Sequence, residues 1–395
     1  MDDYREDMAY QHTKQLTQWY RFIGSEGEEK ARRYIYGQFT GLGIECKREP
    51  FKCSDFQAKY VLRLGLPILG AILVLAAYFY MQNLIIPSLI IAGSLLACVP
   101  LINIFTSGTD FGSSLGTKYQ TENLIGYMKA RNPTPKRTVY IISHYDTKSQ
   151  TFRLLFRISL YIIGLIGGIT IILLISIGGI IYLITTNVLN IGIIVFYGAI
   201  ITCVCLGLLF FNRTGNKSVG ATDNAAAVGV QIAIIRNLLD FPPENTDVYF
   251  LSTSAEEIGL FGALAFIKQH ETELNKDFTY FLNYDVIGGK GKIILHTKYG
   301  LPPKSTSKEI NNLLFKIAKE KNLDVGTQYM PTGAMADHFP ILKRGFKTTW
   351  IQTGDRKVTT KIHSPKDNMD LITKEGLRNA IILGFEFIQE IDKKP

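Results

Sequence analysis

Leu251-Ser-Thr-Ser-Ala-Glu256-Glu257-Ile-Gly-Leu260 is the stretch on which the reading of this 395-residue chain turns. Two adjacent carboxylates follow an apolar, β-prone run from Asp247 to Ser252. Carboxylates in so apolar a setting repel one another and resist desolvation, so they cost stability unless cations hold them. Candidate partners for such cations stand at comparable places in the chain. His144 and Asp146 end the run 138–143, and Asp285 follows the run 279–283. Asp223 lies in Gly220-Ala-Thr-Asp-Asn-Ala225, and His363 in Ile362-His-Ser-Pro365. These residue types, gathered at the ends of strand-like runs, read as a hydrolytic two-metal site.

Outward from that stretch the pattern is α/β. Residues 123–129, 138–143, 247–252, 279–283 and 347–352 read as strands, with a further strand-like piece at 43–47. Residues 30–42, 225–239, 307–321 and 374–391 read as helices. Such alternation predicts a mixed sheet sandwiched by helices, with sites gathering at the carboxyl ends of strands.

Two long runs interrupt this pattern. Neither 64–109 nor 158–212 contains an Asp, Glu, Lys or Arg. A helix crossing a bilayer needs about 20 apolar residues, and a single helix over the second run would be about 80 Å long. Each run must therefore fold back, near Gln82-Asn83 and near Thr185-Thr186-Asn187. Four transmembrane helices are expected, at 63–81, 84–105, 157–183 and 188–211. The two hairpins, 61–106 and 154–212, each return the chain to its starting side. The pieces 1–60, 107–153 and 213–395 can then build one domain. The third span begins about ten residues after His144 and the fourth ends about ten before Asp223, so each ligand is tied to the bilayer by at most about 35 Å of chain.

The net charge of +9 comes with no basic helix and no aromatic-plus-basic repeat, so no nucleic-acid partner is expected. Much of the excess borders the spans, at Lys47, Arg48, Lys52, Lys59, Arg63, Arg153, Arg157, Arg213 and Lys217. The hairpin tips carry no Lys or Arg. By the positive-inside rule the soluble pieces are cytoplasmic and the protein is a multi-pass membrane protein. Residues 1–60 are polar and do not read as a cleaved leader. Of five cysteines, Cys98, Cys203 and Cys205 fall in spans as apolar filler, and Cys46 and Cys53 suit a reduced pair.

Each site residue taken alone also suits a plainer role. Asp223 could cap a helix, Glu256-Glu257 could open a solvated one, Asp285 could sit in a turn and His363 in a loop. Their joint order points elsewhere. Two histidines, three carboxylates and a spare carboxylate form a set for two borderline cations such as zinc. His12, His270 and His296 lack an acid at that spacing. His338, after Asp337, reads as a supporting or substrate-loop residue.

Across the three soluble pieces the chain resembles the zinc aminopeptidases of peptidase family M-28. The residues that carry the resemblance are the helix-opening run from Gly24 to Ile35, Ser143-His-Tyr-Asp-Thr147, Gly220–Ala227, Ala255–Gly262, Asn283-Tyr-Asp285, Ala336-Asp-His-Phe-Pro340 and Ile362–Asp367. The resemblance implies two Zn2+ ions bridged by Asp223, with His144 and Asp285 completing one position and Glu257 and His363 the other. It implies Glu256 as general base and later acid, a metal-bridging hydroxide as nucleophile, Asp146 orienting His144, and a cis peptide between Asp223 and Asn224. The substrate would be a peptide, apolar or handed over at the membrane. Two departures stand out. The soluble members lack the spans, and the position where some carry an oxyanion-steadying Tyr is Gly333 here, with Tyr329 nearby. Two other functions remain open: a glutaminyl-cyclase-like acyltransferase on the same fold, and a receptor or transport protein with a vestigial enzyme domain.

Overall fold

The computed structural model describes residues 4–106, 109, 113–300, 303–330 and 335–394. The chain divides into two compact units. The first is built from residues 1–53, 118–149 and 215–395, and the second from 54–117 and 150–214.

The first unit is organised by eight strands: β1 (Glu45–Ser54), β2 (Lys118–Met128), β3 (Arg137–His144), β4 (Thr246–Thr253), β5 (Thr279–Tyr284), β6 (Ile293–Tyr299), β7 (Val325–Met330) and β8 (Lys347–Thr353). They lie in the order β1-β2-β4-β3-β5-β8-β6-β7, and the two-residue strand Lys304–Ser305 adds to β6. The central strands β4, β3, β5 and β8 are mutually parallel. β2 runs antiparallel to β4, and β6 antiparallel to β8. The sheet is therefore mixed, with a parallel middle buried on both faces, and its strands read as near-continuous apolar runs.

Alternation along β3 sends its side chains into two different cores. Val139 and Ile141 join a cluster with the helices Glu6–Leu16, Ala226–Asp240 and Lys374–Asp392. Tyr140 and Ile142 join another with Phe266, Phe281, Ile341 and Phe346. On this second face Tyr127, Tyr249, Tyr140 and Phe281 stack across four neighbouring strands, each ring 4.7 Å from the next. Gln231 stitches its helix to the sheet, donating to Ile141 O at 2.8 Å and accepting from Ser252 Oγ at 2.8 Å.

Some elements depart from the sequence reading. β2 begins at Lys118, five residues before the expected start, because its first residues are polar and partly exposed. β6, β7 and the helices Glu6–Leu16 and Phe261–His270 were not anticipated. β7 is a polar edge strand, and its sequence, Val325-Gly-Thr-Gln-Tyr-Met330, shows no apolar alternation.

The second unit consists of helical hairpins. A π-helical stretch, Gln57–Gly65, leads into the helix Leu66–Met81, followed by the helices Ile85–Thr106, Leu154–Thr185 and Gly192–Leu208. Glycines allow close approach within it. A Cβ on Gly178 would lie 2.1 Å from the Tyr80 hydroxyl, and one on Gly70 would lie 3.0 Å from Cys203 Cα. The outer faces are apolar and exposed, as at Ile166, Ile184, Ile193 and Tyr197. Among the described residues three helices are long and apolar enough to cross a membrane: Gln57–Met81, Leu154–Thr185 and Gly192–Phe211. The span expected at 84–105 differs. There, Ile85–Cys98 is an apolar helical stretch shorter than a crossing.

Candidate metal centre

The parallel strands deliver the expected residues to one end of the sheet. His144 is the last residue of β3 and pairs in register with Thr253 of β4. Glu256 and Glu257 follow β4, and Asp285 follows β5. Asp223 enters from a turn opened by Gly220 at φ 53°, and the Asp223–Asn224 peptide is cis. His363 sits in a loop with φ 57°.

Two three-residue groups result, and they share Asp223. His144, Asp223 and Asp285 form one; Asp223, Glu257 and His363 form the other. His144 Nε2 is 3.2 Å from Asp223 Oδ1 and 3.5 Å from Asp285 Oδ1. His363 Nε2 is 3.1 Å from Asp223 Oδ2 and 3.2 Å from Glu257 Oε2. Asp223 thus turns one oxygen to each group. His144 Nε2 and Asp285 Oδ1 are buried and make no hydrogen bond. Unpaired polar atoms are costly inside a protein, and convergent N and O donors of this kind are what a divalent ion satisfies. The residues present therefore fit zinc.

Glu256 belongs to neither group. Its Oε2 lies 4.0 Å from His144 Nε2. Burial, with Glu257, Asp285 and Asp337 close by, raises its pKa well above the usual carboxylate range although His144 opposes this. Glu257 goes the other way. Burial would raise its pKa, but the Lys148 ammonium, 2.7 Å from Oε2, outweighs that and keeps it low. Burial likewise acts on Asp223, but the adjacent His144 and His363 imidazoles depress its pKa strongly. Burial disfavours a charged His144, yet Glu256, Asp146, Asp223 and Asp285 together raise its pKa well above 6.5.

The support around these residues was only partly foreseen. His144 Nδ1 faces the backbone oxygen of Asp146 at 3.1 Å, while the Asp146 carboxylate lies 3.6 Å away. That carboxylate instead accepts from the backbone N–H groups of Glu256 and Glu257, each at 3.2 Å. Asp146 thus bridges the ends of β3 and β4, which a two-residue spacing does not reveal. Asp367 carries no role in the sequence reading. Its carboxylate accepts from Thr222 N and Oγ1, both at 2.8 Å, and from Asp223 N at 3.2 Å. Lys148 also went unnoticed; its position four residues after His144 was the available signal. Asp337 accepts from Thr253 Oγ1, and burial raises its pKa to about 7. His338 is buried beside Trp350 and Tyr299. Tyr329 donates to Gly300 O at 2.7 Å, and Gly333 lies outside the described residues.

Comparison with known proteins agrees with this geometry. A family model described as Peptidase family M28 matches residues 207–387. Aminopeptidase YwaD of Bacillus subtilis (strain 168) is 25% identical over 187 residues, which is 45% of this chain and 39% of that protein. The match thus spans about two-fifths of the relative's length. Among solved structures, the fold is similar to a zinc aminopeptidase from Bacillus subtilis, with a TM-score of 0.57, 14% identity, and coverage of 100% of this chain and 96% of that one. It is similar to an Acidobacteriales bacterium glutaminyl cyclase as well, with a TM-score of 0.56, 15% identity, and coverage of 99% and 96%. At such identities these structures speak to the fold alone. Over residues 207–387 the chain is thus similar to Peptidase family M28, and it carries a donor set that fits zinc.

Proposed function

We propose that the chain is a membrane-embedded di-zinc metallopeptidase acting as an aminopeptidase on peptides, with its catalytic unit in the cytoplasm. The observation that carries this reading is the pair of donor groups sharing Asp223, with Glu256 beside them and outside both. His144, Asp223 and Asp285 would hold one ion, and Asp223, Glu257 and His363 the other. Bound zinc supplies Lewis-acid polarisation of a carbonyl and lowers the pKa of water. Glu256, kept protonatable by burial, takes a proton from the attacking water at its carboxylate and passes it to the leaving amine. Asp146 holds the Glu256 and Glu257 backbone in place during that exchange. Lys148 holds the Glu257 carboxylate from the other side.

The fold does not separate peptidase from cyclase, since both kinds of structure match about equally. Two complete donor groups favour two ions and hence the peptidase. The three long apolar helices support spanning a bilayer. The test is elemental analysis of purified protein together with turnover of an aminoacyl chromogenic substrate. Two zinc ions per chain with turnover are expected. A single ion left undisturbed by Asp285→Ala, with cyclisation of an N-terminal glutamine, would establish the cyclase instead.

A further inference from the structure

Arg21 is wholly buried and is among the largest side chains enclosed in the protein. Among the described residues no carboxylate pairs with it directly. Its guanidinium is spent on backbone carbonyls. Nε donates to Tyr145 O at 2.8 Å, Nη1 to Val219 O at 2.6 Å and Leu16 O at 2.9 Å, and Nη2 to Gly220 O at 3.0 Å. Its own backbone is tied in too: Arg21 N donates to Thr147 Oγ1 and Thr147 N donates to Arg21 O, each at 3.1 Å. A cation without a carboxylate partner is costly to bury, so a structural convenience would not explain it.

The acceptors explain it. Tyr145 lies between His144 and Asp146. Val219 and Gly220 open the turn that presents Asp223. Gly220 is held at φ 53°, and a Cβ there would come within 2.1 Å of Asp223 O. These two segments are far apart in the chain, with residues 150–214 between them. One planar fork of donors fixes both to the 16–21 segment. A lysine has no such fork and cannot reach three segments at once. The positive charge also lies near enough to the site for Asp367, Asp146, Asp223 and Glu257 to act on it. Burial lowers its pKa to about 10, which leaves it charged at neutral pH.

We infer that Arg21 is a positioning residue of the metal centre, setting the separation of the His144 and Asp223 ligands by clamping the backbone on which both are carried. Zinc–ligand distances tolerate only about 0.2 Å, so a small relaxation of either segment weakens binding. Arg21 lies outside residues 207–387, the stretch matched by the family model. The inference rests on the metal-centre reading above.

The experiment uses the full chain, purified in detergent, in three forms: the natural protein, Arg21→Lys and Arg21→Met. Zinc affinity is measured by competition with a chromogenic chelator. The visible spectrum of the cobalt-loaded protein reports ligand geometry, and circular dichroism with thermal unfolding reports the fold. Both variants should bind zinc at least tenfold more weakly and show a changed cobalt spectrum while folded, with Lys the milder. Natural affinity and spectrum, with only a lowered Tm, would overturn the inference. So would failure of both variants to fold, which would make Arg21 part of the scaffold. If only Met fails to fold, the Lys variant decides by the same criteria. A natural protein that binds no zinc would defeat the metal-centre reading itself, and is thereby distinguished from a failure of Arg21 alone.

Discussion

Glu256 and Glu257 are neighbours with the same chemistry, yet their surroundings push them apart. Burial acts on both, and only Glu257 has an ammonium at 2.7 Å. Adjacent groups with opposed pKa shifts are how acid–base and ligand roles become separated. Glu256→Gln should therefore cut turnover about 100- to 10,000-fold while leaving the zinc content unchanged. Glu257→Gln should lose zinc as well. Elemental analysis beside an aminoacyl substrate assay checks both, and near-normal turnover in Glu256→Gln would end the mechanism. Asp367→Ala strands the donors of Thr222 and Asp223 that its carboxylate now satisfies. Each buried donor left unpaired costs about 1–3 kcal/mol. The Thr222–Asp223 segment should loosen, and chelator competition should show zinc released more readily than from the natural protein.

The helix Ala226–Asp240 is buried on nearly all sides because it lies between the sheet and the helices Glu6–Leu16 and Lys374–Asp392. Its closest approach is at Gly229, where a Cβ would come 2.5 Å from Ala9 O and 2.7 Å from Thr13 Oγ1. The obstacle is helix backbone, which cannot swing aside as a side chain would. Gly229→Val should therefore push the Glu6–Leu16 helix outward. Overpacking of this kind costs about 1–3 kcal/mol. Denaturant unfolding followed by the tryptophan signal would show a lowered midpoint; an unchanged midpoint would mean that the Glu6–Leu16 helix contributes little to this core.

Three histidines of the first unit, the buried His296 and His338 and the half-buried His12, have their charge suppressed. Burial lowers His12 and His296 to about 4 and His338 to about 3. A depressed histidine pKa means that the unfolded chain binds more protons than the folded one below about 6.5. The stability each contributes is full above that pH and is lost as pH falls towards 4. A shift from 6.5 to about 4 is worth at most about 3 kcal/mol. His12, hydrogen-bonded to Tyr34 and remote from the metal ligands in the chain, gives the clean test. His12→Gln should gain stability relative to the natural protein as pH drops from 6.5 to 4, with no relative change from 7 to 8. A constant difference across the whole range would disprove the effect. Topology is the other property of the chain as a whole. Lys and Arg crowd one set of helix ends, so cysteines placed at Gln82 and Thr186 in a cysteine-free background should react with an impermeant maleimide on intact cells. Labelling of Lys217→Cys instead would invert the orientation.

Much of this protein is legible in its sequence for simple reasons. Buried parallel strands must be continuous apolar runs, so β3, β4, β5 and β8 show themselves within a residue or two. Charge-free stretches of 46 and 55 residues cannot hide in a core this size, so the second unit shows itself too. The proposed ligands are legible because metal-assisted chemistry demands His and carboxylates, and His144, Glu257 and Asp285 follow strand-like runs. Edge strand β7 is not legible, because an edge has no second buried face to impose a pattern. The supports of the site are hidden for a different reason. Asp146 spans to the Glu256–Glu257 backbone, Asp367 to Asp223, and Arg21 to Tyr145 and Gly220. Each acts on backbone groups far away in the chain, and a backbone N–H or C=O leaves no mark on residue identity. The sequence alone pointed to the side chains proposed to do the chemistry. Only the tertiary structure decided what holds them, because main-chain partners are chosen by the path of the chain through space.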